Sequence, residues 1–232
     1  MKKIFEKNET LFCILLIVMY ILVNSYCINN FGIDDYRSVI INTIFSIGLL
    51  ILIISLNRLK YYGLTKVNNI SKYLYFIPLI LIISVNIWNG FNTNNSLNKI
   101  IFNMFNMINV GFIEEIIFRG FLFKMMAKDD VKSAIIVTSI TFGIGHIINL
   151  FNGAEFIPTL MQIISAISIG YLFVIIFHKS KSLIPCIITH SLINALSVFH
   201  IENSALMYLE YIFLIIVPFI YAIYINNKIF EE

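Results

Sequence analysis

The chain has 232 residues, 59% hydrophobic and only 12% charged, with a formal net charge of +3. Globular domains carry about 25% charged residues, so the composition excludes an ordinary soluble domain and points to an integral membrane protein. A charge this small, without a basic run, argues against nucleic acid as a partner and leaves the lipid bilayer as the expected surroundings.

The first apolar run, 10–23, follows Met1-Lys2-Lys3. A secretory signal would have a core of about 7–15 residues and then small residues at a cleavage site. Here Asn24-Ser25-Tyr26-Cys27 follows, so the segment is read as a retained first helix. A spanning helix needs about 20 mostly apolar residues. Eight stretches qualify: 10–28, 38–56, 73–91, 100–123, 133–151, 158–177, 183–199 and 206–225. The expected fold is all-α, a polytopic membrane helix bundle with no internal repeat. Cys13, Cys27 and Cys186 lie within or beside these stretches. Their odd number and lack of metal-type spacing argue against a disulfide scaffold, and they are read as small packing residues. Trp88, Tyr61 and Tyr62 suit an interfacial aromatic belt. His178, His200 and Glu210 fall near span ends and are expected at the membrane surface.

With a cytoplasmic N-terminus, the inner side receives Lys2, Lys3, Lys7, Arg58, Lys60, Lys66, Lys72, Lys124, Lys128, Lys132, Lys179, Lys181 and Lys228. The outer side receives only Arg37 and Lys99. Such an excess of inner positive charge sets this orientation.

The fourth span reads Asn109-Val-Gly-Phe-Ile-Glu114-Glu115-Ile-Ile-Phe-Arg119. A charge at the centre of a membrane helix costs about 2.5–3.5 kcal/mol on insertion scales and is a functional-site hypothesis by default. Two further spans carry histidines, as Phe142-Gly-Ile-Gly-His146 and as His190-Ser-Leu-Ile-Asn194. Residues four apart share a helix face, which pairs Glu115 with Arg119 and His190 with Asn194. At a rise of about 1.5 Å per residue from the nearest inner lysine, Glu114 lies about 15 Å deep, His146 about 21 Å and His190 about 14 Å. Helix tilt absorbs the difference, and the agreement points to one pocket.

Taken singly, each group has a plainer role. Glu115 and Arg119 make a structural ion pair, His146 and His190 are interhelical donors, Asn194 is interhelical glue, and Phe142 is a packing residue. Gly143 and Gly145 permit close helix approach. Taken together, a carboxylate and two imidazoles offer two chemistries. Glu114, His146 and His190 are acceptable zinc ligands with a position left for water. Alternatively, Glu114 and one histidine activate water directly, with His190 and Asn194 holding an oxyanion. Asn194, a neutral donor and a poor zinc ligand, tilts the reading toward the second. Arg119 pairs with Glu115 or grips a substrate carboxylate.

Glu114-Glu115-x-x-x-Arg119, Phe142-x-x-x-His146 and His190-x-x-x-Asn194, in this order and in three membrane helices, resemble the three-motif signature of the CPBP intramembrane proteases. That family groups CAAX prenyl endopeptidases of the Rce1 type with bacterial bacteriocin-processing and immunity-associated relatives. The resemblance implies a helical membrane fold with the site opening toward the cytoplasmic side. It implies that Glu114 is the catalytic glutamate, His146 its partner on water, His190 and Asn194 the completing groups, and Glu115 and Arg119 a supporting pair. Members are often labelled metalloproteases, and a metal-free glutamate mechanism has also been proposed for the family, so Zn2+ is expected only if the site is metal-dependent.

The division that follows is 1–99 for N-terminal helices without a motif, 100–199 for the protease-like core and 200–232 for the last helix and tail. The expected activity is hydrolysis of a peptide bond by an intramembrane endopeptidase of a bacterial cytoplasmic membrane. Its substrate would be a peptide precursor or membrane-protein tail. The competing readings are a non-catalytic bacteriocin-immunity protein and a small ion-coupled transporter, though a transporter would be expected to show repeated or broken helices.

Overall fold

The computed structural model describes residues 2–67, 76–201 and 204–228, the last stretch with side chains from 206 to 227. Every regular element among them is helical. The order is α1 (Lys2–Lys7), α2 (Glu9–Asn30), α3 (Tyr36–Ser55), α4 (Leu79–Ser84), α5 (Leu97–Glu115), α6 (Lys124–Met126), α7 (Val131–Gly145), α8 (Ile148–Phe151), α9 (Phe156–Ser180), α10 (Ile184–Leu196) and α11 (Ser204–Lys228). Between α5 and α6 the chain runs without a break through a π-helical segment, Ile116–Phe123. Single 3-10 turns follow α4 and α10.

Local chemistry sets the ends. The side chains of Asn8, Asp35 and Asp130 cap α2, α3 and α7 by accepting from backbone N–H groups of the first turn, as short polar side chains do. Lys181, in the left-handed conformation, closes α9 by donating to the Phe177 carbonyl. The Asp130 carboxyl is held below its ordinary range by the hydrogen bonds from Ser133.

Six helices are long and apolar enough to cross a membrane: Glu9–Asn30, Tyr36–Ser55, Leu97–Met126, Val131–Phe151, Phe156–Ser180 and Leu206–Asn227. They correspond to six of the eight expected spans, and the chain is a multi-pass membrane protein. The other two differ. Ile184–Phe199 is helical but shorter. Of the expected span 73–91, residues 73–75 lie outside the described residues, and the remainder holds the short α4 followed by a 3-10 turn.

The surface of the spans is apolar, with Leu22, Ile44 and Ile51 all largely exposed. The interior holds polar groups. Asn42 donates to Asn106 at 2.7 Å between α3 and α5, and Ser46 donates to Asn109 at 2.8 Å. Hydrocarbon offers no hydrogen-bond partners, so such groups are paired inside the bundle. Cys13, Cys27 and Cys186 are buried and free.

The most extensive helix pairs are α9 with α11, α5 with α10, α7 with α9, and α3 with α5. Two glycines set the closest of these approaches. A Cβ on Gly111 would lie 2.7 Å from the Ser191 nitrogen, and one on Gly143 would lie 2.8 Å from the Ile163 oxygen. Gly143 thus does what its sequence position suggested. Gly145 does not, because a Cβ there would meet nothing within 4 Å.

The loops sort onto two ends. Leu183 donates to the Gly63 carbonyl and Ser182 to that of Thr65, while Arg58 and Lys128 both pair with Glu9. At the other end Asn29 meets Asn152, Lys99 meets Asp34, and Asn92 donates to Phe199. Trp88 and Tyr61 are exposed near the ends, but Tyr62 is buried against Phe121 at 4.7 Å. Glu210 is also buried, accepting from Asn89 at 2.6 Å.

Candidate active site

The site is assembled by α5 and its π-helical continuation, the end of α7, the middle of α10 and the middle of α2. The close α5–α10 approach at Gly111 brings the two charged motifs side by side. Glu115 accepts from Arg119 Nη1 at 3.0 Å and from His190 Nδ1 at 2.8 Å, both on Oε1. Glu115 and Arg119 are fully enclosed, with side-chain exposure of 0% for each. The guanidinium carbon sits 4.1 Å from the centroid of the Phe142 ring, a cation–π arrangement that is worth more away from water. Among the described residues Glu115 Oε2 and Arg119 Nε and Nη2 have no hydrogen-bond partner. The ion-pair reading of Arg119 therefore matches the geometry, and an enclosed guanidinium is not offered to a substrate carboxylate.

His190 is oriented by this pair. A carboxylate can only accept, so its Nδ1 carries a hydrogen toward Glu115. Its Nε2 then lies 3.4 Å from Glu114 Oε2. That contact requires a proton on one of the two atoms, because two lone pairs do not attract.

His146 caps α7 where the helix ends. Its Nδ1 is 3.2 Å from the Phe142 carbonyl oxygen. A carbonyl also only accepts, so this contact puts the hydrogen on Nδ1 and leaves a lone pair on Nε2. The Phe142 ring stands edge-to-face with both imidazoles, at 5.4 Å from His146 and 5.6 Å from His190. It also meets Phe118 at 5.3 Å. Phe142, read from sequence as a packing residue, is the wall against which Arg119, His146 and His190 are all set.

Asn194 lies one turn beyond His190 on α10, half-buried, and its side chain makes no hydrogen bond among the described residues. No group of three His, Cys, Asp or Glu side chains able to hold a metal ion occurs among the described residues. Glu114, His146 and His190 are not such a group as they stand. The partners of the two Nδ1 atoms, Glu115 and the Phe142 carbonyl, are nonetheless of the kind that orient metal-binding imidazoles, and Nε2 of each histidine with Glu114 would be the atoms to hold zinc.

One residue escaped the sequence reading. Tyr20, in the middle of α2, donates its hydroxyl to Glu114 Oε1 at 2.6 Å. The N-terminal helices thus reach the site although they carry no motif. The only trace in the sequence is a phenol in an apolar span, and the chain has 12 tyrosines.

Comparison with the curated proteins and with the solved structures gives no match. Residues 96–196 match the family model described as type II CAAX prenyl endopeptidase Rce1-like. The stretch that carries all three motifs is therefore similar to a family of membrane proteases, the one that the motifs resemble.

Proposed function

We propose that this chain is an intramembrane endopeptidase that activates water at Glu114 and His146. The observation that carries the reading is the 3.4 Å approach of Glu114 Oε2 to a His190 whose other nitrogen is fixed by the enclosed Glu115–Arg119 pair. A purely structural ion pair does not need a second carboxylate aimed at the same imidazole.

In this reading Glu114 Oε2 takes one proton of a water molecule and the His146 Nε2 lone pair accepts a hydrogen bond from the other. The water oxygen attacks the peptide carbonyl carbon. The oxyanion is met by the Asn194 amide and by Nε2–H of His190. His190 donates there as the imidazolium, since Nδ1 already bears a hydrogen toward Glu115. The C–N bond then breaks, and the proton held by Glu114 passes to the leaving nitrogen. A carboxyl terminus and an amine result, so atoms balance with water as the only co-reactant.

The preferred substrate is a short bacterial peptide precursor or the tail of a membrane protein, cut near the cytoplasmic side. The test uses purified protein in liposomes with a quenched-fluorescent peptide bearing an apolar C-terminal segment. Wild type should release the fluorophore and Glu114→Gln should not. Equal signals from both would overturn the reading. Stripping metal with a chelator should leave turnover intact; loss restored by one equivalent of zinc would replace direct water activation with metal chemistry.

A further inference from the structure

We infer that Tyr20 is a positioning residue for Glu114, resting on the endopeptidase reading above, and that it designates Oε2 as the oxygen that takes the proton from water. A carboxylate has two nearly equivalent oxygens, and the last torsion of a glutamate is broad and roughly two-fold. Without a fixed partner it presents either oxygen over a range of directions. Here the Tyr20 hydroxyl donates to Oε1 at 2.6 Å, within the range of short, charge-assisted O–H···O⁻ bonds. The other oxygen, Oε2, is then the one that faces His190 Nε2.

Tyr20 is itself well held. It is 5% exposed, and its ring stands edge-on to Phe45 of α3 at 6.1 Å. The phenol is thus locked between α2, α3 and α5, and its hydroxyl is the end that reaches the carboxylate. α2 lies outside the stretch 96–196 that matches the protease family. This makes the first spanning helix part of the active site rather than a membrane anchor for it.

Tyr20→Phe keeps the ring and its packing and removes only the donor. In the liposome assay kcat should fall by about 10- to 100-fold, the scale of loss from misaligned catalytic groups, while KM stays within about twofold. Folded yield and melting temperature should stay near wild type. Glu114→Gln should abolish turnover, and adding Tyr20→Phe to it should cost nothing further. Turnover that is blocked by Glu114→Gln but unaffected by Tyr20→Phe overturns the assignment of Tyr20 alone. A rise in KM equal to the whole loss, or a loss that follows folded yield, also overturns it. A wild type without turnover, matched by Glu114→Gln, overturns the endopeptidase reading and this inference with it.

Discussion

Glu115 Oε1 serves two partners at once, Arg119 at 3.0 Å and His190 at 2.8 Å. The arrangement is stable only while all three groups are present, because each enclosed charge has nowhere else to turn. Removing Arg119 leaves the buried Glu115 carboxylate with His190 alone opposite it, and breaking a buried ion pair typically costs about 3–5 kcal/mol. Arg119→Ala should therefore reduce the yield of folded protein and lower the melting temperature in detergent as well as abolish turnover. A wild-type melting temperature with activity alone lost would indicate contact with substrate instead. Arg119→Lys should recover only part of the loss. An ammonium lacks the planar fork that stacks on Phe142. Half of this network is readable from the sequence: the four-residue spacing places Arg119 beside Glu115. The contact of Glu115 with His190 is not, because depth along a helix fixes one coordinate and leaves both rotation and neighbour open. Tyr20 is invisible for the same reason, lying 94 positions from Glu114.

At the scale of elements, the site depends on how closely α5 and α10 approach. The backbone of Ser191 lies 2.7 Å from where a Cβ on Gly111 would be, and Ser191 is the residue after His190. Gly111→Val must push α10 away and carry His190 off Glu115. Displacements of about 1 Å can cost about a hundredfold in rate, so turnover should drop by at least that much. Gly48→Ala provides the control, since a Cβ there meets nothing within 4 Å, and its turnover and melting temperature should match wild type. A Gly111→Val protein with full activity would show that the approach is not needed. Six span-length helices are legible from hydropathy, because lipid selects apolar side chains wherever the helix faces it. The π-helical segment after Glu115 is not legible: its residues Ile-Ile-Phe-Arg-Gly-Phe-Leu-Phe suit an ordinary helix as well, and the choice is made by packing against neighbouring helices. π-Helical turns are frequent at functional sites, and this one carries Arg119. Ile184–Phe199 is short for a span and packs against α5, α4 and α9, so protein takes part of the place of lipid along it.

For the whole molecule, the loops gather at two ends that differ in charge. One end holds Lys2, Arg58, Lys124, Lys128 and Lys181, and the other has Arg37 and Lys99, which pair with Asp35 and Asp34. The positive-inside rule predicts that the first end faces the cytoplasm. At that end burial and the neighbouring Lys179 hold the Lys181 ammonium below its ordinary range. The three native cysteines are buried and should resist a membrane-impermeant maleimide, so single introduced cysteines report sidedness directly. In intact cells Asn152→Cys should label from outside, while Lys60→Cys should label only after the membrane is permeabilised. The site between these ends would then be reached from the side that holds Lys60, and a cleaved reporter tail should accumulate in the cytoplasm. Labelling of Lys60→Cys in intact cells would invert the molecule and move the site's substrates to the outer face.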